Sequence, residues 1–149
     1  MIHALNMTMP LKQDPQSQQK LEKLKAGFAG GTQQMIGAAL AKSELVHFAR
    51  VLVIDNKYIQ VLTEFDGDKT VYALFFLEEL PGVFKAIFEL VEDVPPWDEL
   101  VSSPDLFFDV SQRFNVRALG TKEDDQATGW LFSAFGTKTV KDIKAALAK

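Results

Sequence analysis

Hydrophobic residues, many of them β-branched, are concentrated within residues 46–65, on either side of a short polar segment at residues 55–57. Runs of this kind bounded by turn residues are typical of β-strands, and Asp and Asn tolerate the left-handed backbone of a tight turn. This stretch therefore predicts a β-hairpin with strands at residues 47–54 and 58–65. A weak alternation of apolar and polar residues predicts one earlier strand at residues 2–9.

Apolar residues recur at helical spacing in the segments around these strands. Gly27, Gly30 and Gly31 lie between the first two helical segments, and we interpret them as a joint because no phosphate-binding pattern surrounds them. Spacing and capping residues predict helices at residues 16–26, 33–42, 69–79 with a continuation to about 91, 103 to about 116, and 139 onward.

A last strand is predicted at residues 128–135, after an irregular, helix-containing insertion at about residues 94–127. The element order is then β-α-β-β-α, the insertion, β and α. The β-α-β-β-α-β core is the ferredoxin-like arrangement, in which helices cover one face of the sheet. The sequence thus predicts one α+β domain spanning residues 1–149, with an extra C-terminal helix.

The two faces of the predicted hairpin differ in composition, because successive side chains of a strand point to opposite sides. The odd-numbered positions are almost wholly apolar and are expected to pack against the helices. The even-numbered positions combine large apolar groups with a few polar ones, namely Phe48, Arg50, Leu52, Ile54, Tyr58, Gln60, Leu62 and Glu64. A contiguous apolar face of this kind usually belongs to an interface, and a symmetric dimer that stacks two sheets would cover it.

Composition excludes several classes of function. The chain of 149 residues is 47% hydrophobic and 24% charged, with a net charge of −4 and a pI near 5.2. This balance argues against a nucleic-acid partner, and the lack of cysteine excludes disulfides and thiolate chemistry. The N-terminus has no signal-peptide pattern, and the longest apolar run, Tyr72–Leu77, is too short to span a membrane. We therefore expect a cytoplasmic protein with no membrane partner.

Three segments carry a resemblance to a known superfamily: residues 47–50 (His-Phe-Ala-Arg), residues 63–68 (Thr-Glu-Phe-Asp-Gly-Asp) and residues 133–135 (Ser-Ala-Phe). They are similar to uncharacterised bacterial proteins of the dimeric α+β-barrel superfamily. The resemblance implies a sheet-to-sheet homodimer and a cavity over the sheet. Members of the superfamily include cofactor-free monooxygenases, isomerases and haem enzymes, so the resemblance does not choose a reaction.

Arg50, Glu64 and His47 are the candidate catalytic residues. In the predicted register Phe48 faces Glu64, and Arg50 is the diagonal neighbour of Glu64; such a pair would bind or orient an acid, or simply form a cross-strand ion pair. His47 would transfer a proton or bind haem, or it is an ordinary hydrogen-bonded residue at a sheet edge. Asp66 would polarise His47, or cap the helix that follows it.

The candidate ligand-binding residues are aromatic or amide side chains, which are also common in ordinary cores: Phe48, Tyr58, Gln60, Trp97 and Trp130. The first functional hypothesis is a homodimer that binds an apolar or aromatic small molecule, with cofactor-independent oxygenation or isomerisation as the reaction. The second is a non-enzymatic interaction module whose sheet face serves only dimerisation. The third is a haem-binding protein that uses His47. No metal or cofactor is expected under the first two.

Overall fold

The computed structural model describes residues 2–120 and 129–149. Its centre is a three-stranded antiparallel sheet in the order β1-β3-β2, formed by β1 (Ile2–Pro10), β2 (Val46–Ile54) and β3 (Tyr58–Asp66). Together with the helices described below, this sheet confirms the predicted α+β class.

The predicted hairpin is present with the predicted register. Asp55 and Asn56 both have φ near 53°, and Lys57 N–H donates to Ile54 O at 2.9 Å, so a tight turn connects β2 directly to β3. Phe48 faces Glu64 across the ladder. A β-bulge interrupts the ladder between Val46 and Phe48, at His47, which the alternation did not predict.

The helices begin at well-defined caps. Asp14 accepts a hydrogen bond from Ser17 N–H before α1, and Asp68 does the same for Thr70 and Val71 before α3. The joint predicted at the glycines is a single π-helical turn, Phe28–Thr32, which connects the first two helices without a break. Within the described residues the helices are α1 (Pro15–Gly27), α2 (Gln33–Ser43), α3 (Lys69–Glu79), α4 (Pro81–Phe88), α5 (Trp97–Leu100), α6 (Pro104–Arg113) and α7 (Val140–Leu147).

The hydrophobic core lies between one face of the sheet and the helices. On this side the sheet contributes odd-numbered residues, of which Met9 and Ile59 are completely buried. An aromatic cluster fills the space under α4 and α6, where Phe107 contacts Phe88 with ring centroids 5.6 Å apart. The predicted division of the hairpin into a helix-packing face and a second face is therefore correct from Phe48 onward. At the start of β2 the bulge shifts the division by one residue, so that Val46, and not His47, packs in the core opposite Phe65.

Two predictions about the second half of the chain are wrong. The strand predicted at residues 128–135 is not formed in its described part, residues 129–135, where Phe132 is 83% exposed; Thr128 lies outside the described residues. The helix predicted to reach residue 116 ends at Arg113. Residues 114–116 instead pair with β1: Thr8 N–H donates to Phe114 O at 2.9 Å, and Val116 N–H donates to Asn6 O at 2.8 Å. Competition for the free edge of β1 is a long-range effect that local patterns do not reveal.

Candidate functional site

One face of the hairpin carries exposed apolar side chains. Phe48 is 72% exposed, Tyr58 45%, Ile54 40% and Leu52 37%. We call this surface the open sheet face and define it by the even-numbered residues Phe48, Arg50, Leu52, Ile54, Tyr58, Gln60, Leu62 and Glu64. Contiguous exposed apolar surface of this kind is typical of interaction sites.

Glu64 has an unpaired carboxylate oxygen on this face. Its Oε2 is buried and has no hydrogen-bond partner among the described residues. Burial raises the pKa of the Glu64 carboxyl, and the positive charges of Arg50 and His47 oppose that rise only in part. Arg50 is the diagonal neighbour of Glu64, as predicted, but its side chain is exposed and forms no ion pair with a described carboxylate. Glu64 is therefore equipped to accept a proton or to pair with a cation brought by another molecule.

His47 and Asp66 are in direct contact. His47 Nε2 lies 2.8 Å from Asp66 Oδ1, and both side chains are nearly buried, at 12% and 11% exposure. A carboxylate can only accept, so the imidazole proton lies on Nε2. Asp66 was predicted either to polarise His47 or to cap the following helix. The structure contains the contact with His47, and Asp68 is the residue that caps the helix. The contact also occupies His47 Nε2, so that only Nδ1 remains for a haem iron.

The second oxygen of Asp66 anchors the last helix. Asp66 Oδ2 accepts a hydrogen bond from the backbone N–H of Val140, the first residue of α7, at 2.8 Å. Thr139 and Asp142 complete a capping box at the same helix start. The bulge at His47 and the position of α7 therefore depend on one carboxylate, which gives the His47–Asp66 pair a structural role.

The predicted ligand-binding residues do not converge on one site. Phe48 and Tyr58 lie on the open sheet face, where Gln60 donates to Thr8 Oγ1 at 3.0 Å. Trp97 packs instead in the helical core, 6.4 Å from the Phe107 ring. Trp130 is 43% exposed, outside the sheet. The topology therefore distributes the predicted ligand-binding residues over three regions of the described structure.

A cavity that was not predicted lies on the other side of the sheet. It has a volume of about 330 Å³, and we call it the helix-side cavity. Its floor consists of odd-numbered strand residues together with Arg50 of the edge strand β2, and its walls come from the π-helical turn and from α2, α3 and α4. The lining residues are Phe28, Gln33, Ile36, Gly37, Leu40, Ala49, Arg50, Val51, Val61, Thr63, Phe76, Leu80, Val83, Phe84 and Ile87. Most of these side chains are apolar, so the cavity suits an apolar ligand.

Small residues explain why this space is not filled. Gln33, Ile36, Gly37 and Leu40 form one stripe of α2, at the spacing that places side chains on the same face of a helix. Gly37 contributes no side chain to that stripe, and a Cβ added there would have no neighbouring atom within 4 Å. Ala49 is the corresponding small residue on β2. A glycine within an otherwise apolar helical stripe is the signal by which the cavity was predictable from sequence.

One polar pair lies at the cavity floor. Thr63 is 1% exposed, and its Oγ1 is 2.5 Å from the hydroxyl of Tyr72 on α3. Burial raises the pKa of the Tyr72 phenol well above its usual value, so this group stays neutral. Thr63 and Tyr72 therefore satisfy each other as a buried, uncharged pair of hydroxyls.

Other site types receive no support from the described residues. Within residues 2–120 and 129–149, no three His, Cys, Asp or Glu side chains come together as a metal site. In the same ranges, no helix has both the length and the apolar character needed to cross a membrane. A scan against protein-family models and searches of curated proteins and of solved structures find no significant match to this chain.

Proposed function

We propose that this chain is a small-molecule-binding protein whose ligand, an apolar or aromatic compound, occupies the helix-side cavity. The observation that carries the proposal is an apolar space of about 330 Å³ between the sheet and the helices. The space opens to solvent beside α2 and the edge strand β2, where Gln33, Gly37 and Arg50 are exposed. Its size is within the usual range, since ligand pockets commonly enclose about 300–1,000 Å³. An apolar cavity of about 150 Å³ is already large enough for benzene, so a bicyclic compound is of suitable size here.

The lining determines the chemical class of the ligand. Leu40, Val61 and Phe84 are representative of its walls, and Arg50 is its one charged residue, with an exposed side chain. A charged group placed deep in the cavity would lose its hydration without gaining an opposite charge. An apolar body, in contrast, gains about 25 cal/mol for each Å² removed from water. The lining therefore favours an uncharged, mainly apolar molecule.

Equilibrium dialysis with naphthalene tests this proposal, using two variants of one lining position. Gly37→Leu places a large side chain in the cavity, and we expect it to weaken naphthalene binding at least tenfold. Gly37→Ala is the matched control, because its single added carbon meets no neighbour within 4 Å and leaves most of the space free. Failure of the natural chain to bind naphthalene, or unchanged binding by Gly37→Leu, would contradict the proposal.

We also propose that a second copy of the chain covers the open sheet face. The face exposes Phe48, Ile54 and Tyr58, and the buried Oε2 of Glu64 has no hydrogen-bond partner among the described residues. Arg50, the diagonal neighbour of Glu64, has an exposed side chain. In a two-fold symmetric contact, residue i of one copy meets residue j of the other and the reverse holds as well. Two reciprocal Arg50–Glu64 pairs would then satisfy both groups within an apolar surround.

The proposed subunit is ferredoxin-like. Residues 114–116 run antiparallel to β1 at its outer edge, which is where a ferredoxin-like sheet has its fourth strand. Arg50 and Glu64 then act in assembly. Glu64 lies on the opposite side of the sheet from Val61 and Thr63 in the cavity floor, whereas Arg50, on the edge strand β2, also lines the cavity. Their catalytic use in oxygenation or isomerisation stays a prediction, since it requires a ligand on the open sheet face.

Sedimentation velocity tests the dimer through charge reversal. Arg50→Glu and Glu64→Arg each create two like-charge contacts in the proposed interface, and we expect each to shift the chain toward monomer. The double variant restores opposite charges and should recover the dimer. Binding of naphthalene per chain should not change in Glu64→Arg, because Glu64 does not line the helix-side cavity. A monomeric natural chain, or a double variant that stays as weak as the single ones, would argue against the reciprocal pairing.

A further inference from the structure

The outer edge of β2 has backbone groups that the sheet leaves unpaired. At the end of the β1–β3 ladder, Leu11 N–H donates to Lys57 O at 2.8 Å. Because hydrogen-bonded pairs occur at every second position of an antiparallel ladder, the odd-numbered residues of β3 bond to β1 and the even-numbered ones bond to β2. Their partners in β2 are also even-numbered, as in the pair Arg50 and Leu62. The odd-numbered residues of β2, an edge strand, therefore direct their N–H and C=O groups away from the sheet.

Ala49 and Val51 are the outward-facing residues of β2 that border the helix-side cavity. Both line the cavity, and both are only partly buried. Within residues 2–120 and 129–149, no hydrogen bond reaches the outward N–H and C=O groups of these two residues. The cavity opens to solvent at the same edge, beside the exposed Gly37 and Arg50. A ligand at this opening therefore meets unpaired backbone donors and acceptors in addition to apolar walls.

The edge is suited to an added strand between Phe48 and Ile54. Proteins usually protect exposed edges with proline, lysine, a bulge or a covering segment. The bulge of β2 lies at His47, before this stretch, and the stretch contains neither proline nor lysine. An extended peptide that pairs with an open edge gains main-chain hydrogen bonds, and pockets that receive its alternate side chains provide specificity.

The position of the cavity determines which side chain of such a peptide it receives. Residues that face each other across a ladder direct their side chains to the same side of the sheet. Ala49 and Val51 direct theirs to the helix side, so a peptide residue paired with either one does the same, at the opening of the cavity. The apolar space of about 330 Å³ has room for an aromatic side chain.

The charge at the edge determines the residue beside the aromatic one. That residue lies opposite Arg50, whose exposed side chain is the one charged group among the lining residues. Opposite charges that face each other across a ladder are stabilising. Glu64, the acidic neighbour of Arg50, lies on the central strand β3, one strand farther from the peptide. An acidic residue is therefore favoured beside the aromatic one, outside the cavity and in contact with water.

We infer that the ligand of the helix-side cavity is a short extended peptide that pairs antiparallel with the free edge of β2. One aromatic side chain of the peptide occupies the cavity, and an acidic residue beside it lies opposite Arg50. The inference rests on the proposed use of the cavity as a ligand site and names the class of that ligand. The part of the ligand that the apolar lining surrounds, the aromatic ring, is uncharged.

Equilibrium dialysis of the natural chain with the blocked peptide acetyl-Ala-Glu-Phe-Glu-Ala-amide tests the backbone pairing. In the antiparallel ladder the N–H of the peptide's Phe donates to β2, whereas the N–H of the Glu that follows it points away. N-methylation of Phe should therefore weaken binding about 3- to 10-fold, as for loss of one neutral hydrogen bond. N-methylation of the following Glu is the matched control and should change binding by less than about twofold. Equal effects of the two methyl groups would overturn the inference.

Two further measurements locate the peptide. Replacing both of its Glu residues with Lys should weaken binding about twofold or more at low salt, and equal binding of the two peptides would contradict the contact with Arg50. In hydrogen exchange followed by NMR, the amide protons of Ala49 and Val51 should exchange more slowly when the peptide is bound. The Arg50 amide, already bonded to β3, should not change. Unchanged exchange at Ala49 and Val51 with the peptide bound would exclude pairing with β2.

The outcomes separate this inference from the proposed function. If the natural chain binds neither naphthalene nor the peptide, the cavity is not a ligand site and both are wrong. If naphthalene binds and is lost in Gly37→Leu, but the peptide does not bind, the cavity is a ligand site and the inference of a peptide ligand is wrong. The inference is also wrong if Gly37→Leu binds the peptide as well as the natural chain does, because the aromatic side chain then lies outside the cavity.

Discussion

Asp66 offers the strongest test of how the sheet, the bulge and the last helix depend on one another. Its two oxygens bind His47 Nε2 and the Val140 N–H, each at 2.8 Å, and its side chain is 11% exposed. Asp66→Ala removes both acceptors. A hydrogen bond to a charged group contributes about 1.5–3 kcal/mol, so two would amount to about 3–6 kcal/mol. The start of α7 can open and let water reach Val140, which places the expected loss at about 3 kcal/mol.

The assay combines urea unfolding, followed by circular dichroism, with hydrogen exchange of the peptide 139–149. Asp66→Ala should lower the free energy of unfolding by the amount above and speed exchange within α7. Asp142→Ala is the matched control, because it removes the exposed capping-box carboxylate of the same helix and leaves His47 paired. We expect that control to cost less than Asp66→Ala, because water can replace the hydrogen bonds of the exposed Asp142 carboxylate. A loss in Asp66→Ala no larger than in the control, with unchanged exchange in 139–149, would refute the reasoning.

Three more predictions concern the glycine at the cavity, the buried carboxyl and the aromatic core. Gly37→Ala should raise the free energy of unfolding by about 1 kcal/mol, seen as a Tm increase of about 2–4 °C, because alanine favours the helix and its Cβ has free space. Burial raises the pKa of Glu64, so its contribution to stability is present at low pH and is lost as pH rises through the raised value. Urea unfolding of the monomer should therefore show the stability of Glu64→Gln relative to the natural chain increasing from pH 4 to pH 7; a decrease would reverse the assigned sign. Phe107→Ala should cost about 3–5 kcal/mol by the same method, since Phe107 is 2% exposed and contacts three other rings.

The hairpin was predictable because its register depends on nearby residues. Two residues in left-handed conformation at 55–56 determine which positions face each other, so the pairing of Phe48 with Glu64 follows from counting outward from the turn. The bulge at His47 lies far from the turn and close to Asp66 and the start of α7. Its cause is a contact between segments distant in sequence, so no local pattern indicated it.

The segment that pairs with the outer edge of β1, in contrast, was not predictable from local sequence. Residues 128–135 have aromatic residues suited to a strand, yet the described residues 129–135 form none, and residues 114–116 pair with β1 instead. Asn115 explains part of this choice, because its side-chain oxygen accepts from Asn6 N–H at 2.7 Å and adds a side-chain contact to the backbone pairing. The β-propensity of a segment depends only on its own composition. The segment that pairs with the outer edge of β1 is residues 114–116, which follow α6 directly in the chain.

The two faces of the hairpin were predicted from the sequence, but the helix-side cavity was not. Alternation along β2 and β3 correctly divided the side chains between two faces, and it directed attention to the face with polar groups, where Arg50 and Glu64 lie. The cavity is on the apolar face, which looks like ordinary core because it contains Val51, Val61 and Thr63. What makes it a cavity is the small size of Gly37 on α2 and Ala49 on β2, two residues that are distant enough in sequence to belong to separate elements. Both small residues line the same region, which leaves a space there. A search for ligand sites in α+β sequences should therefore compare the small residues of facing elements, in addition to the polar residues on the more exposed face.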